Sequence, residues 1–439
     1  MKKTDQNRTE LIPLRCLEED NIFSCITWLI NNVDNIAADA KQETVSWYCD
    51  CVAEMVSAAE SLGIYGNVWH VWLAVLFAER ENPFSLAQER RLPLEGTLKK
   101  LLIGDLGVIS HYIYYDLKLI DSALGVNAFG RFSKYTPLGG RSKSGLTSKS
   151  QIIQTLTDKI GISKTPEDIY NVLTSFYQHY GVGKFALNKA FRWDSCAHEI
   201  VPVTNTENIL LSGLVGYEKQ KKVLADNTIA FLEGRPANNV LLYGESGTGK
   251  SSSIKALLNG YADKGLRMIE VYKHQIEDLD TIVDKIKTRN YKFIIFMDDL
   301  SFEQFEIEYK YLKAFIEGGL ERRPDNILIY ATSNRRHLMR ESWTDREDKD
   351  EDMHESETMQ ERMSLVDRFG LMIRYMSPEQ EEYLNIVHEL AKEYKVKVSN
   401  DELEHGAIQW ELKHGGFSGR SARQFIEYMA GSAKSKIIL

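Results

Sequence analysis

The run Gly244-Glu-Ser-Gly-Thr-Gly249-Lys250-Ser251 fits the pattern G-x-x-x-x-G-K-[ST]. In that pattern glycines let the backbone turn through φ > 0 and its N–H groups close around phosphate oxygens. Glu245, Ser246, Gly247, Thr248 and Gly249 then form the cradle, and Lys250 reaches the β- and γ-phosphates. The Ser251 hydroxyl can ligate Mg²⁺, with Ser252 next in the first helical turn. Val240-Leu-Leu-Tyr243 before the loop reads as a buried strand, and Ser251 to Leu258 after it reads as a helix whose N-terminal dipole faces the anion. A chance Gly/Ser-rich turn would lack both neighbours. The chemistry expected is binding of a nucleoside triphosphate.

Further along, Phe293-Ile-Ile-Phe-Met297 runs straight into Asp298-Asp299. A buried strand that ends in a carboxylate delivers it to the carboxyl edge of a sheet, where open α/β sheets bind ligands. Asp298 is then placed to hold Mg²⁺, directly or through water, and Asp299 to orient the attacking water. Alone, an Asp-Asp pair at a strand end is an ordinary surface feature; a phosphate loop one crossover earlier favours the functional reading. Ile327-Leu-Ile-Tyr-Ala-Thr-Ser-Asn334 is a second apolar strand ending in small polar residues, and its Asn can hydrogen-bond the γ-phosphate or the lytic water. Ser364-Leu-Val-Asp-Arg368-Phe-Gly and Gly416-Phe-Ser-Gly-Arg420-Ser-Ala-Arg423 supply arginines, the cations that phosphoryl transfer needs on its developing charge.

The elements that must position these residues change character along the chain. At 439 residues, a prior of about 150 residues per domain gives two to four domains. Residues 1–202 are expected to form a mostly α-helical domain. Trp69, Trp72, Leu73, Leu76 and Phe77 fall on one helical face, and Thr165-Pro166-Glu-Asp168 opens another helix whose stripe is Ile169, Leu173, Phe176, Tyr177 and Tyr180. Tyr112, Tyr114 and Tyr115 could stack on bases, but at helical spacing among Ile and Leu they read as core. Thr136 to Ser150 reads as an exposed loop. Gly181-Val-Gly-Lys184 imitates a phosphate loop without the upstream glycine or the following Ser/Thr, and is set aside.

From 203 to 376, strands alternate with helices, the mark of a parallel sheet flanked by helices. Five strands are expected: Val240–Tyr243, Leu266–Val271, Phe293–Asp298, Ile327–Thr332 and Leu371–Tyr375. A helix bearing Phe302, Phe305, Tyr309, Leu312 and Phe315 lies among them. After Ser377-Pro378, residues 377–439 return to helices, starting with Leu384, Val387, Leu390, Ala391 and Tyr394, as a small helical lid.

Composition bounds the surroundings. A formal charge of −9 argues against a broadly basic surface, so nucleic-acid binding would need a local patch. Five cysteines without a Cys-x-x-Cys pair suit a reducing compartment, and Cys49 and Cys51 read as helix residues. No apolar signal core opens the chain, and the longest apolar stretch, Val71 to Ala78, is far short of a membrane span. A cytoplasmic location without membrane association is expected.

The order of these pieces resembles that of AAA+ ATPases. The phosphate loop, Asp298-Asp299, Asn334, Asp367-Arg368-Phe and Gly419-Arg420 look like Walker A, Walker B, sensor 1, arginine finger and sensor 2. Leu214-Val215-Gly216-Tyr resembles the segment that cradles adenine there. More closely, Asp298-Asp-Leu-Ser-Phe-Glu303, Tyr330-Ala-Thr-Ser-Asn-Arg-Arg-His-Leu338 and Gly419-Arg-Ser-Ala-Arg-Gln-Phe425 look like the prokaryotic AAA+ family designated domain of unknown function 815, with similarity reaching upstream to Glu81-Asn-Pro-Phe-Ser-Leu-Ala87. The resemblance implies a P-loop α/β fold with a helical lid, ATP and Mg²⁺ as ligands, and a homo-oligomer in which Arg368 serves a neighbour's site, with Arg362 and Arg374 as nearby substitutes. It names no substrate.

One departure matters. Most AAA+ ATPases carry Asp-Glu where this chain has Asp298-Asp299. The shorter carboxylate sits about 1 Å back, a misplacement that can cost on the order of 10²-fold in rate. Two function classes follow: an ATP-hydrolysing remodeller of a protein or nucleic-acid partner, and an ATP-gated binding or loading factor of the helicase-loader or initiator kind. Tyr272-Lys-His-Gln-Ile-Glu-Asp-Leu279 lacks the aromatic–hydrophobic–Gly triplet of threading machines, which lowers the unfoldase reading. Glu341 to Glu361 is a dense acidic run, read as a solvated loop or, more sharply, a dock for a basic partner.

Overall fold

Apolar runs that end in polar residues become strands, and apolar residues at three- and four-residue spacing become helices; the chain segregates the two. The computed structural model describes residues 11–36, 41–131, 133–138, 148–302, 307–317, 324–334, 365 and 368–435. It divides into two units, Met1–Asn188 and Lys189–Leu439.

The first unit is helical: α1 (Asn21–Asn32), α2 (Lys41–Leu62), α3 (Val68–Glu79), α4 (Pro83–Glu89), α5 (Gly96–Tyr114), α6 (Lys118–Leu124), α7 (Ser148–Ile162), α8 (Pro166–Tyr180) and α9 (Lys184–Leu187). Trp69, Leu73, Leu76 and Phe77 of α3 are buried, while Trp72 stays partly exposed and donates its indole N–H to Asp20 at 3.0 Å. Thr165 caps α8 in a reciprocal box with Asp168, behind a proline at the first helical position. Tyr112 is core as expected, but Tyr114 is exposed. The set-aside Gly181 ends α8 at φ 80°, a helix stop rather than a phosphate loop. Cys49 and Cys51 both lie on α2. Of the expected loop from Thr136 to Ser150, residues 139–147 lie outside the described residues.

The second unit holds a sheet. Its elements are β1 (Ala190–Asp194), β2 (Glu199–Pro202), α10 (Glu218–Leu232), β3 (Val240–Gly244), α11 (Lys250–Tyr261), β4 (Leu266–Glu270), α12 (Leu279–Ile286), β5 (Lys292–Met297), α13 (Ile307–Glu317), β6 (Ile327–Ser333) and β7 (Leu371–Tyr375). The strand order is β2-β1-β4-β5-β6-β3-β7. The five expected strands are present and parallel. The sheet nevertheless has seven strands rather than five, because β1 pairs parallel with β4 and carries β2 as an antiparallel edge. The second unit therefore begins before the expected 202/203 boundary; the α/β class is unchanged. On α13, Tyr309 and Leu312 are buried and Phe315 is half-buried, whereas Phe302 precedes the helix and Phe305 is outside the described residues.

Three helices follow: α14 (Gln380–Glu393), α15 (Asn400–His414) and α16 (Gly419–Ser435). They share a small core that includes Tyr383, Val387, Leu390, Ala407, Phe425 and Ile426. Ser399 caps α15 by accepting from the Glu402 N–H. The acidic run 341–361 and Arg362 lie outside the described residues.

Register sets up the site. Met297 pairs with Ala331 and Tyr243 with Ser333. The residues just past these pairs, Asp298, Asn334 and Gly244, therefore leave adjacent strands at one carboxyl edge.

A candidate nucleoside triphosphate site

β3 ends at Gly244 and α11 begins at Lys250, so the intervening loop is the N-terminal approach to a helix. Gly244 has φ 138°, and a Cβ there would stand 1.8 Å from the Tyr375 carbonyl oxygen of β7. Only glycine lets β3 and β7 approach that closely. The loop opens on a cavity of about 590 Å³. Ser246, Gly247, Thr248, Gly249, Lys250, Ser251 and Ser252 all line it, whereas Glu245 does not. The Glu245 carboxylate instead accepts from the Ser377 hydroxyl, at the start of the lid segment.

Lys250 is buried, and its ammonium donates to the carbonyls of Gly244 at 2.9 Å and Glu245 at 2.6 Å and to Asn334 Oδ1 at 3.1 Å. Desolvation pulls its pKa below the ordinary lysine value, and the Asp299 and Asp298 carboxylates oppose that pull. Ser251 Oγ donates to Asp298 Oδ1 at 2.5 Å. Asn334 Nδ2 donates to Asp299 Oδ1 at 2.6 Å. Lys250, Asn334 and Asp299 thus form one hydrogen-bonded set and Ser251 with Asp298 another, and Thr332, bonded to both acids, links the two.

A hydroxyl and a carboxylate within 2.5 Å are a hard-oxygen donor pair. Such a pair suits Mg²⁺, which takes one or two protein oxygens and completes its shell with phosphates and water. Among the described residues no cluster of three or more His, Cys, Asp or Glu could cage a metal ion. The Ser251–Asp298 pair is therefore where Mg²⁺ fits this chain, if a phosphate shares it.

The opposite walls come from two other segments. Val215 and Gly216 line the cavity as expected. Lys221 braces their segment, donating to the Leu214 carbonyl at 2.5 Å and pairing with Glu218 at 2.7 Å. Tyr217 stacks on Tyr375 at 4.9 Å and donates to the Met376 carbonyl at 2.6 Å. Burial pushes its phenol pKa up to about 12. From the lid, Arg420 lines the cavity; its backbone N–H reaches the Gly247 carbonyl at 3.3 Å and its guanidinium donates to Ser246 Oγ at 3.4 Å. Ile386 and Leu390 of α14 add an apolar wall.

Arg368 is the predicted site residue that stands apart. It does not line the cavity; its guanidinium pairs with Glu317 of α13 at 2.9 Å. Sequence reading gave no role to Thr332, which lines the cavity, as do Tyr217 and Arg423 from the quoted glycine and arginine segments. For Thr332 a signal existed: two residues before Asn334 on one strand, it shares that residue's side of the sheet.

The family model described as "Protein of unknown function (DUF815)" matches residues 186–433, more than half of the chain. The chain belongs to the DUF815 family. This DUF815 protein has an α/β core, with the phosphate loop following a strand inside a mostly parallel sheet and three helices after it. No curated protein matches it. Among solved structures it is similar to RuvB of Thermotoga maritima, a Holliday junction branch migration motor, at 16% identity and a TM-score of 0.36, over 50% of this chain and 63% of that one. It is also similar to the FIGL-1 AAA domain in complex with ADP, at 19% identity and a TM-score of 0.35, over 54% of this chain and 77% of that domain. The DUF815 chain thus spans less than two thirds of the length of the RuvB structure. Both likenesses are distant. Among the described residues no helix is long and apolar enough to cross a membrane.

Proposed function

We propose that this DUF815 protein binds ATP with Mg²⁺ and hydrolyses it, using the cycle to change the conformation of an oligomer or a partner. The observation that carries this reading is the convergence of two hydrogen-bonded sets, Lys250–Asn334–Asp299 and Ser251–Asp298, with bonds of 2.5–3.1 Å at the mouth of a phosphate loop. In this reading Gly247, Thr248, Gly249 and Ser252 offer backbone N–H groups to the phosphates, Lys250 offsets the β/γ charge, and Val215 with Gly216 holds the base. Ser251 and Asp298 hold Mg²⁺, which draws charge from the phosphate oxygens. Asp299 polarises the attacking water, Asn334 holds Asp299 in place, and Arg420 stabilises charge from the lid. Arg368 acts on the site of a second copy, which agrees with its distance from the cavity lining of its own chain.

A second reading, the slow ATP-gated binding or loading factor, draws support from the Asn334–Asp299 bond at 2.6 Å, which occupies one oxygen of the short acid standing where a longer glutamate is usual. Phosphate release measured with and without single-stranded DNA, duplex DNA and cell lysate separates the two. Turnover that survives in all conditions supports the enzyme, and stoichiometric ATP binding with negligible turnover supports the switch. Failure to bind Mg-ATP sinks both.

A further inference from the structure

Thr332 is 1% exposed, on a central strand, and its side chain touches both acids of the site. A hydroxyl has one proton to give and two lone pairs. Here the proton goes to Asp298 Oδ1 at 2.6 Å, and the oxygen accepts the backbone N–H of Asp299 at 2.9 Å. The Thr332 carbonyl accepts from the Leu300 N–H at 2.7 Å, so the backbone on either side of the Asp299 side chain is fastened to one residue.

Asp299 itself stands at φ 50°, in the left-handed region. Aspartate is one of the few L-residues that tolerates that region, and such a conformation persists only where the surroundings hold it. A left-handed residue one position past Asp298, at the end of β5, turns the chain sharply out of the strand direction. The short carboxylate emerges from that turn against Asn334, two hydrogen bonds from Lys250.

We propose that Thr332 is the positioning residue for hydrolysis: its hydroxyl fixes Asp298 through the carboxylate and Asp299 through the backbone, and so aims the water-polarising acid. This rests on the hydrolytic reading above and names the residue on which its rate depends. A valine at 332 keeps the β-branched shape but leaves the Asp299 N–H without this acceptor and Asp298 without this donor. Binding of the triphosphate relies chiefly on the loop and Lys250, and the hydroxyl bears on it only through Asp298, which keeps its bond from Ser251.

The test measures kcat and KM for Mg-ATP on the full chain carrying Thr332→Val, Thr332→Ala or Thr332→Ser, with folding followed by circular dichroism. Loss of aim on the ångström scale predicts a fall in kcat on the order of 10²-fold for Val and Ala, with KM nearly unchanged. Ser, which restores the hydroxyl alone, is expected within about threefold of the wild type. Wild-type kcat in Thr332→Val, or a Ser variant as slow as Ala, overturns the proposal. Should the valine variant not fold, the Ser and Ala pair decides, because they differ only in the hydroxyl oxygen. A wild type without turnover overturns the hydrolytic reading and this proposal together; an active wild type with equally active Val and Ala variants overturns this proposal alone.

Discussion

The Arg368 guanidinium lies 2.9 Å from the Glu317 carboxylate, joining the segment that leads into β7 to the end of α13. Both side chains are substantially exposed, at 49% and 33%. An exposed ion pair of this kind contributes about 0–1 kcal/mol, too little to hold an arginine against a competing phosphate. Arg368 is thus available rather than locked. Glu317→Ala is expected to change stability by less than about 1 kcal/mol and to leave turnover equal or higher. Arg368→Ala is expected to lose roughly 10³-fold in rate, as for arginines supplied to phosphoryl transfer elsewhere. Mixing Arg368→Ala with Lys250→Ala should then restore part of the activity, since some junctions pair an intact loop with an intact arginine. No recovery under conditions where the wild type oligomerises would place Arg368 outside catalysis in trans.

Lys250→Ala removes the one cation buried in the phosphate loop, and the Ser251 hydroxyl cannot replace it. The expected outcome is loss of most ATP affinity, on the order of 10²-fold by calorimetry, with an unchanged circular dichroism spectrum. Wild-type affinity would remove the loop from the binding site.

Asp299→Asn and Asp299→Glu separate charge from backbone. Asparagine also tolerates the left-handed region, so Asp299→Asn should fold normally, bind Mg-ATP and turn over about 10²-fold more slowly. Glutamate accepts φ 50° less readily. Its expected signature is about 1 kcal/mol of lost stability without a gain in rate. A faster Asp299→Glu enzyme would mean that side-chain length, not backbone direction, limits hydrolysis.

Gly244→Ala tests the sheet beneath the site. Its Cβ would meet the Tyr375 carbonyl at 1.8 Å, so β3 and β7 must part. The expected cost is about 2–4 kcal/mol, or roughly 5–10 °C in Tm by calorimetry, together with weakened ATP binding. A melting curve like that of the wild type would refute the close approach.

The strands that carry the site were legible because they are apolar runs that end abruptly, as at Met297 to Asp298 and Tyr243 to Gly244. The hairpin Ala190–Pro202 was not, because Phe191 and Trp193 alternate over too few residues to stand out beside a helical region rich in aromatics. The chemistry of Ser251 with Asp298 could be read from motif order, since the helix start after the β3 loop and the end of β5 meet at one carboxyl edge. The left-handed turn at Asp299 and the pairing of Arg368 with Glu317 could not, because neither leaves a local pattern: one is a backbone angle beside a hydrogen bond to Thr332 on another strand, the other a contact between distant segments.

The contact between Arg420 and Ser246 spans 174 residues of sequence. Domains fold as units while the chain emerges from the ribosome at about 5–20 residues per second. By that clock the phosphate loop is made roughly ten seconds or more before the arginine that closes over it. A growing chain can therefore assemble its sheet, yet the pocket for the triphosphate is completed only when translation has passed the start of α16.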